Sequence, residues 1–309
     1  MHKTPLEGAL VMTEPRILIF VQWFGPWPEW MRCFLESCRF NPTVDWLMIG
    51  DAPPLLDAPP NVRQRHISFP DYRAHVASAL GITPRWNDIY KVCDLKPTVA
   101  ALFPEELEGY DHWGYCDLDV IFGDIRSFYT PEFLDADIIG THTHVIGGHF
   151  VVARNTPRMV DAFRKIPFWK YYLSSAAHKS FDEQVFSWLF MPFPRGRMRR
   201  LLTPFLGGGR FVEQFSTNIA PLPWIDGTTR WPEEWYFDRG RLTTNRSGDR
   251  QFLYLHFSHW QSNRWTSESV APWKKLETLV VLPPGPIDRF VVSREGFKAR
   301  PDEKRSAAA

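Results

Sequence analysis

The chain has 309 residues, 44% hydrophobic and 23% charged, enough for one large domain or two small ones with a substantial core. Its 36 Lys and Arg against 35 Asp and Glu leave a formal charge of +1, without the basic surplus of a general nucleic-acid binder. The four cysteines, Cys33, Cys38, Cys93 and Cys116, form no CxxC pair, which excludes a zinc site of that type and points to buried thiols in a reducing compartment.

Residues 1–15 are mixed and polar, and the first apolar run, 17–23, is too short to cross a membrane. A soluble, cytoplasmic protein is expected. Residues 16–23 (RILIFVQW) read as a buried first strand, followed by a Gly-Pro-Trp-Pro turn over 25–28. A helix is predicted over 29–40, a second strand over 44–49 ending at Gly50-Asp51, and a Pro-rich loop over 52–60. A short strand over 62–68 precedes a helix over 71–80 that stops at Gly81. Pro97 is expected as the first residue of a helix over 98–103. Further strands are predicted over 135–141, 148–153 and 252–257, and helices over 157–165 and 182–190. Asn155 or Thr156, and Asp182 or its neighbour, should cap those helices. Residues 193–209 read as a Pro-, Gly- and Arg-rich mobile loop, and 300–309 as disordered. Strands alternating with helices across short loops predict an α/β sheet whose ligands lie beyond the carboxyl ends of the strands. The first two loops are expected to hold a nucleotide and the third a metal.

The third loop, after Tyr115, lies within HWGYCDLDVIFGD, residues 112–124. Residues two apart in a strand share a side, so Asp117 and Asp119 would present two carboxylates together. Such a pair repels itself unless a cation lies between or a proton is taken up. Oxygen ligands suit a hard ion, Mg²⁺ or Mn²⁺, which keeps positions open for substrate phosphates. Activation of a diphosphate leaving group is the chemistry this implies. The ordinary alternatives are that Asp119 caps a turn and Asp117 pairs with an arginine. The 14 Trp residues fit either a core or platforms for sugar rings.

Several segments together resemble the nucleotide-sugar-dependent glycosyltransferases of the GT-A fold, in particular bacterial enzymes of polysaccharide and lipopolysaccharide glycosyl transfer. They are FVQWFGPWPEW, Ile49-Gly50-Asp51, KVCDLKP, WGYCDLDVIFGDI, GGHFVVARN, FDEQVF and LHFSHW, spanning residues 16–260. The resemblance implies a GT-A (Rossmann-like) mixed, mostly parallel sheet flanked by helices, in one domain over 14–290, with a partly disordered tail over 291–309. It implies that Asp117 and Asp119 bind Mn²⁺ or Mg²⁺ held by the donor diphosphate, with His256 completing the set. The pattern after His256 departs from the family's Gly and Lys-Pro-Trp, so His259 stands as the alternative ligand.

Gln22, Phe24, Gly25, Asp51, Asp94, Lys96 and Asp117 are the expected donor contacts, with Asp51 on the base or ribose and Lys96 on the phosphates. The ordinary readings are a turn for Asp51 and a helix cap for Asp94. Gly147 and Gly148 let backbone approach a ligand, or form a tight turn, and with His149 they are the expected acceptor side. Asp182 and Glu183 are the candidate catalytic carboxylates, as base or as stabilisers of the reacting sugar, or else helix-start residues. A UDP-sugar is the expected donor and a glycan hydroxyl the acceptor. Arg195, Arg197, Arg199 and Arg200 read as a solvated loop. Their sharper reading is a phosphate or anionic-lipid contact, with peripheral association at the inner membrane face. Two other classes compete: a nucleotidyltransferase or sugar-nucleotide hydrolase, and a non-catalytic carbohydrate-binding protein. The uncharged loop over 25–28 disfavours the first and the carboxylates the second.

Overall fold

The computed structural model describes residues 14–143, 145–190, 209–211, 213–217, 223–228, 230–261 and 278–300, with backbone alone at 214, 259 and 261. Strand β1 (Ile17–Trp23) is apolar through Val21, and those five residues are buried, as in a strand covered on both faces. Helix α1 (Met31–Arg39) and strand β2 (Val44–Gly50) follow, then β3 (Val62–His66) and α2 (Phe69–Leu80). Ser68 caps α2 by accepting the Asp71 N–H, and Gly81 ends it at φ 61°. A 3₁₀ helix, Ile89–Thr98, then leads into the short α3 (Val99–Leu102).

Strands β4 (His112–Cys116), β5 (Val120–Phe122), β6 (Ile138–Gly140), β7 (Phe150–Arg154) and β8 (Gly209–Phe211) complete the first half. The main sheet has the order β3-β2-β1-β4-β7-β6-β8. Every pairing in it is parallel except the two made by β7. This is the mixed, mostly parallel sheet flanked by helices that was expected. Alternate residues of β1 and β2 face opposite layers. Leu18, Phe20, Leu47 and Ile49 pack with Tyr72, Val76 and Leu80 of α2. Ile17, Ile19, Val21, Trp46 and Met48 pack with Phe34, Leu35 and Cys38 of α1.

The second half adds β9 (Glu234–Asp238), β10 (Arg241–Thr244), β11 (Tyr254–His256), β12 (Val280–Val281), β13 (Arg289–Ser293) and β14 (Gly296–Ala299). A second sheet runs β10-β9-β13-β14-β12, and β11 pairs antiparallel with β5. Ile121 and Leu255 of that ribbon enter the core of the second sheet, beside Trp235, Phe237 and Phe290. Val120, Phe122 and Tyr254 enter the α1 layer. The ribbon is thus shared between two cores.

Four local expectations change. The segment before α3 starts at Asp88, which caps it by accepting the Tyr90 N–H, so Pro97 lies inside a 3₁₀ helix and does not start an α-helix. Residues 182–190 form a π turn, Phe181–Val185, and a 3₁₀ turn, Phe186–Leu189. The N-terminal position there is Ser180 at φ 49°, so Asp182 is not a cap. The helix over 157–165 divides into Pro157–Val160, capped by Thr156, and a 3₁₀ turn, Ala162–Lys165. Residues 291–299, expected in a tail, belong to the β13–β14 hairpin, because Phe290, Val292 and Phe297 supply apolar faces to the second core. Residues 301–309 and the segment 191–208 with its arginines lie outside the described residues. No described helix is long and apolar enough to cross a membrane.

Candidate active site

The parallel strands β1, β2 and β4 end on one edge of the sheet, and their loops meet there. The Gly25 N–H donates to Asp51 Oδ1 at 2.6 Å, joining the first loop to the second. A side chain at Gly50 would collide with the Trp23 carbonyl, so the ends of β1 and β2 approach this closely only through glycine. Trp30 Nε1 donates to the Leu118 carbonyl at 2.8 Å, joining the first loop to the third.

Strand β4 stops at Cys116, and Asp117-Leu118-Asp119 is the bend between β4 and β5 rather than the end of a strand. Backbone bonds from both sides hold it. The Asp117 N–H donates to the His149 carbonyl at 3.0 Å, and the Asp119 carbonyl accepts the Phe257 N–H at 3.0 Å. Because β11 runs antiparallel to β5, His256 stands opposite Val120, next to Asp119. Oxygens of Asp117 and Asp119 and a ring nitrogen of His256 lie within 4.8 Å of one another. His256 Nε2 is 3.4 Å from Asp119 Oδ1, and Nδ1 is 3.2 Å from Thr217 Oγ1. With Nδ1–H donating to Thr217, Nε2 presents a lone pair towards the carboxylates. Burial alone would lower the His256 pKa, but the Asp119 carboxylate outweighs it and raises it. Burial likewise opposes ionisation of Asp119, and His256 overcomes that and lowers its pKa. This donor set, two carboxylates and an imidazole whose far nitrogen is anchored, fits a divalent ion. The side chain of His259 lies outside the described residues.

Lys96, expected on phosphates, is buried among carboxylates. Its ammonium donates to Asp117 Oδ1 and, at 3.1 Å, to the Gly148 carbonyl, and lies 3.5 Å from Asp182 Oδ2. Its burial disfavours charge, but Asp117 and its neighbours hold the pKa well above the usual value. Asp117 is therefore ion-paired, with a lysine where an arginine was the ordinary reading.

Asp94 faces no solvent and is not placed to touch a donor. Its Oδ2 accepts from Lys91 Nζ at 2.6 Å and the Lys179 N–H at 2.8 Å, and its Oδ1 accepts the Phe181 N–H at 2.8 Å. It anchors the turn that carries Asp182 and Glu183. Asp182 is buried, and burial raises its pKa well above the carboxylate range against the pull of Lys96. Glu183 is only partly buried and accepts the Gly148 N–H through Oε1 at 3.2 Å. A Cβ on Gly148 would collide with Asp182 Oδ2, so the close approach this glycine permits is to a protein carboxylate.

His149 does not line an open pocket. It is buried, stacked on His256 with ring centroids 4.3 Å apart, and bonded to Thr141 Oγ1 and the Tyr254 hydroxyl. Burial and the neighbouring His256 and His142 push its pKa well down, so it is a neutral support. Phe24 is buried against Phe69 and Tyr72 and steadies its loop from below. Gln22 Nε2 donates to the Tyr72 hydroxyl.

Residues 19–283 match the family of unknown function DUF6625. The chain belongs to that family. No curated protein matches the sequence. Among solved structures, this DUF6625 member is similar to the galactosyltransferase LgtC in complex with donor and acceptor sugar analogues: TM-score 0.34, 10% identity, 62% of this chain and 73% of that one. Mouse xyloside xylosyltransferase 1 gives 0.37 and 10%, over 78% and 97%. The glycosyltransferase GlyE of Streptococcus pneumoniae gives 0.35 and 9%, over 63% and 45%. At these scores the likenesses carry no assignment of residue roles.

In this DUF6625 chain Thr217, Lys91, His178 and Tyr254 are site-supporting residues that sequence reasoning passed over. Thr217 and His178 stand in stretches without a motif, whereas Lys91 opens KVCDLKP and Tyr254 directly precedes LHFSHW, where their neighbours drew the reading. The chemistry the arrangement offers is specific. One edge holds a hard-ligand triad, and an internal ammonium balances part of its charge. A partly exposed carboxylate, Glu183, stands on the adjoining turn.

Proposed function

We propose that this protein is a metal-dependent glycosyltransferase that moves a sugar from a nucleotide diphosphate sugar, a UDP-sugar in the first instance, to an acceptor hydroxyl of a glycan in bacterial surface polysaccharide synthesis. The observation that carries the reading is the convergence of Asp117, Asp119 and His256 beyond the carboxyl ends of the parallel strands. Ligands of α/β sheets bind at that edge. The motif resemblance over 16–260 supports the same reading.

Asp117, Asp119 and His256 would hold Mn²⁺ or Mg²⁺. When bound, the ion would neutralise charge on the departing diphosphate. The chain's own residues do the rest. Thr217 fixes the His256 tautomer, and Lys96 holds one oxygen of Asp117. The loops joined by Gly25 and Asp51 bind the nucleotide. Glu183 is the carboxylate with access. It accepts the acceptor-hydroxyl proton if the reaction inverts, or stabilises the sugar cation if it retains. Asp182, further inside, positions Lys96.

The test is a thermal-shift screen of UDP-, GDP-, CMP- and dTDP-sugars with and without Mn²⁺. One donor should stabilise the protein only with metal, by about 2.7 kcal/mol at a concentration about 100-fold above its Kd. Asp119→Ala should abolish the shift. Failure of every donor, with and without Mn²⁺, would overturn the reading. Stabilisation that ignores metal and nucleotide but follows free glycans would favour a lectin.

A further inference from the structure

Asp94, His178 and Asp182 form a second convergence, with their donor atoms within 4.8 Å of one another. We propose that they form a second divalent-cation site, distinct from the Asp117–Asp119–His256 triad, holding a first-row transition-metal ion through Asp94 Oδ1, His178 Nε2 and Asp182 Oδ1. The proposal does not depend on the glycosyltransferase reading.

The first argument is an unmet bonding need. Asp182 Oδ1 is fully enclosed and has no hydrogen-bond partner among the described residues, in a residue only 4% exposed. A buried carboxylate oxygen left in that state is costly. The oxygen lies 3.9 Å from His178 Nε2, and that nitrogen is 3.2 Å from Asp94 Oδ1. The spacing is too long for a good hydrogen bond to Asp182, but it suits a shared ion. Two ligands each about 2.1 Å from one metal stand up to about 4.2 Å apart.

The second argument is orientation. Asp94, Asp117, Asp182 and Glu183 stand among Lys91, Lys96 and Lys179. The lysines take the outer oxygens. Lys91 bonds Asp94 Oδ2, and Lys96 approaches Asp182 Oδ2. That leaves the two Oδ1 atoms facing the imidazole. The Phe181 N–H, bonded to Asp94 Oδ1, fixes the direction of that ligand, as anchored carboxylates in metal sites are fixed.

The third argument is access. His178 keeps 27% of its side chain exposed and rests on Tyr90, with ring centroids 4.9 Å apart. An ion can enter past it without opening the core. Two carboxylate oxygens and one imidazole nitrogen make a mixed set that suits Zn²⁺ or Mn²⁺ and leaves positions for water.

Mn²⁺ titration of the chelator-treated full chain, with free ion counted by electron paramagnetic resonance, tests this. Wild type should bind about two ions, and His178→Gln and Asp119→Ala about one each. Unchanged Mn²⁺ binding in His178→Gln overturns the second site. Unchanged binding in Asp119→Ala overturns the first triad and leaves the second standing, so the two failures are distinguishable. A fold-independent check uses wild-type protein alone. Bound Mn²⁺ should broaden the His178 ring resonances as well as those of His256, and a sharp His178 signal at saturation overturns the proposal.

Discussion

Gly148 is held by what surrounds it. Its missing Cβ is the space occupied by Asp182 Oδ2, and Glu183 Cγ would stand 3.1 Å from any such atom. Gly148→Ala must therefore push β7 away from the turn carrying the two carboxylates. We expect a loss of about 1–3 kcal/mol in urea unfolding. Donor-dependent stabilisation should fall further than that loss, because Lys96 also bonds the Gly148 carbonyl. A variant as stable as wild type, with full donor response, would refute this packing role. Sequence placed Gly147-Gly148 near a ligand but could not reveal that its close neighbour lies 34 residues further on. Asp94 shows the same limit. A carboxylate before a predicted helix has a ready local explanation, whereas two of its partners, Lys179 and Phe181, are distant in the chain. Asp117 and Asp119 drew attention because an aromatic strand segment precedes them, whereas His256 entered only through the family resemblance.

At the level of elements, the connection after β5 is fastened to the end of α1. Buried Asn41 donates to the Ser37 and Gly123 carbonyls at 2.9 and 2.8 Å, and its Oδ1 accepts the Ile125 N–H at 2.8 Å. One side chain thus satisfies backbone groups on both sides of the connection that follows β5. Asn41→Ala strands them in the core. The expected cost is about 1–3 kcal/mol, read as a lower urea midpoint with an unchanged slope. β1, β2 and α2 were readable because their apolar runs, Ser68 and Gly81 are local signals. The segment at 182–190 was read as α-helix because an apolar stripe does not distinguish i→i+3, i→i+4 and i→i+5 bonding over one or two turns, and the helix after Pro97 was placed without the 3₁₀ turns that precede it. Nothing in the residue type announces the φ of 49° at Ser180.

For the whole molecule, two sheets share one ribbon, and stability should respond to pH through buried histidine. His112, at the start of β4, is buried and donates Nε2–H to the Leu134 carbonyl at 2.9 Å. Burial is the main cause of its lowered pKa. The unfolded chain takes up this proton near pH 6.5, and the folded chain only at lower pH. The stabilisation is therefore complete above about pH 6.5 and is lost as pH falls towards the folded value, by up to about 1.4 kcal/mol per unit. His112→Gln should flatten that part of the urea-midpoint profile between pH 7.5 and 5.5, and an unchanged slope would exclude His112 as its source. The fold class was legible from the alternation of strands and helices. The second sheet was not, because β13 joins β9 across some fifty residues and the hairpin looked like the start of a tail.

The four thiols carry a practical consequence. Cys33 and Cys38 lie on α1, Cys116 immediately precedes Asp117, and Cys93 lies in the 3₁₀ segment before Lys96. All are free, and burial drives each pKa upwards, so almost no thiolate is presented while the chain is closed. Each cysteine is thus a silent reporter of its own neighbourhood. The rate at which a thiol reagent labels Cys116 measures how often the floor of the carboxylate bend comes apart, without any substrate being known.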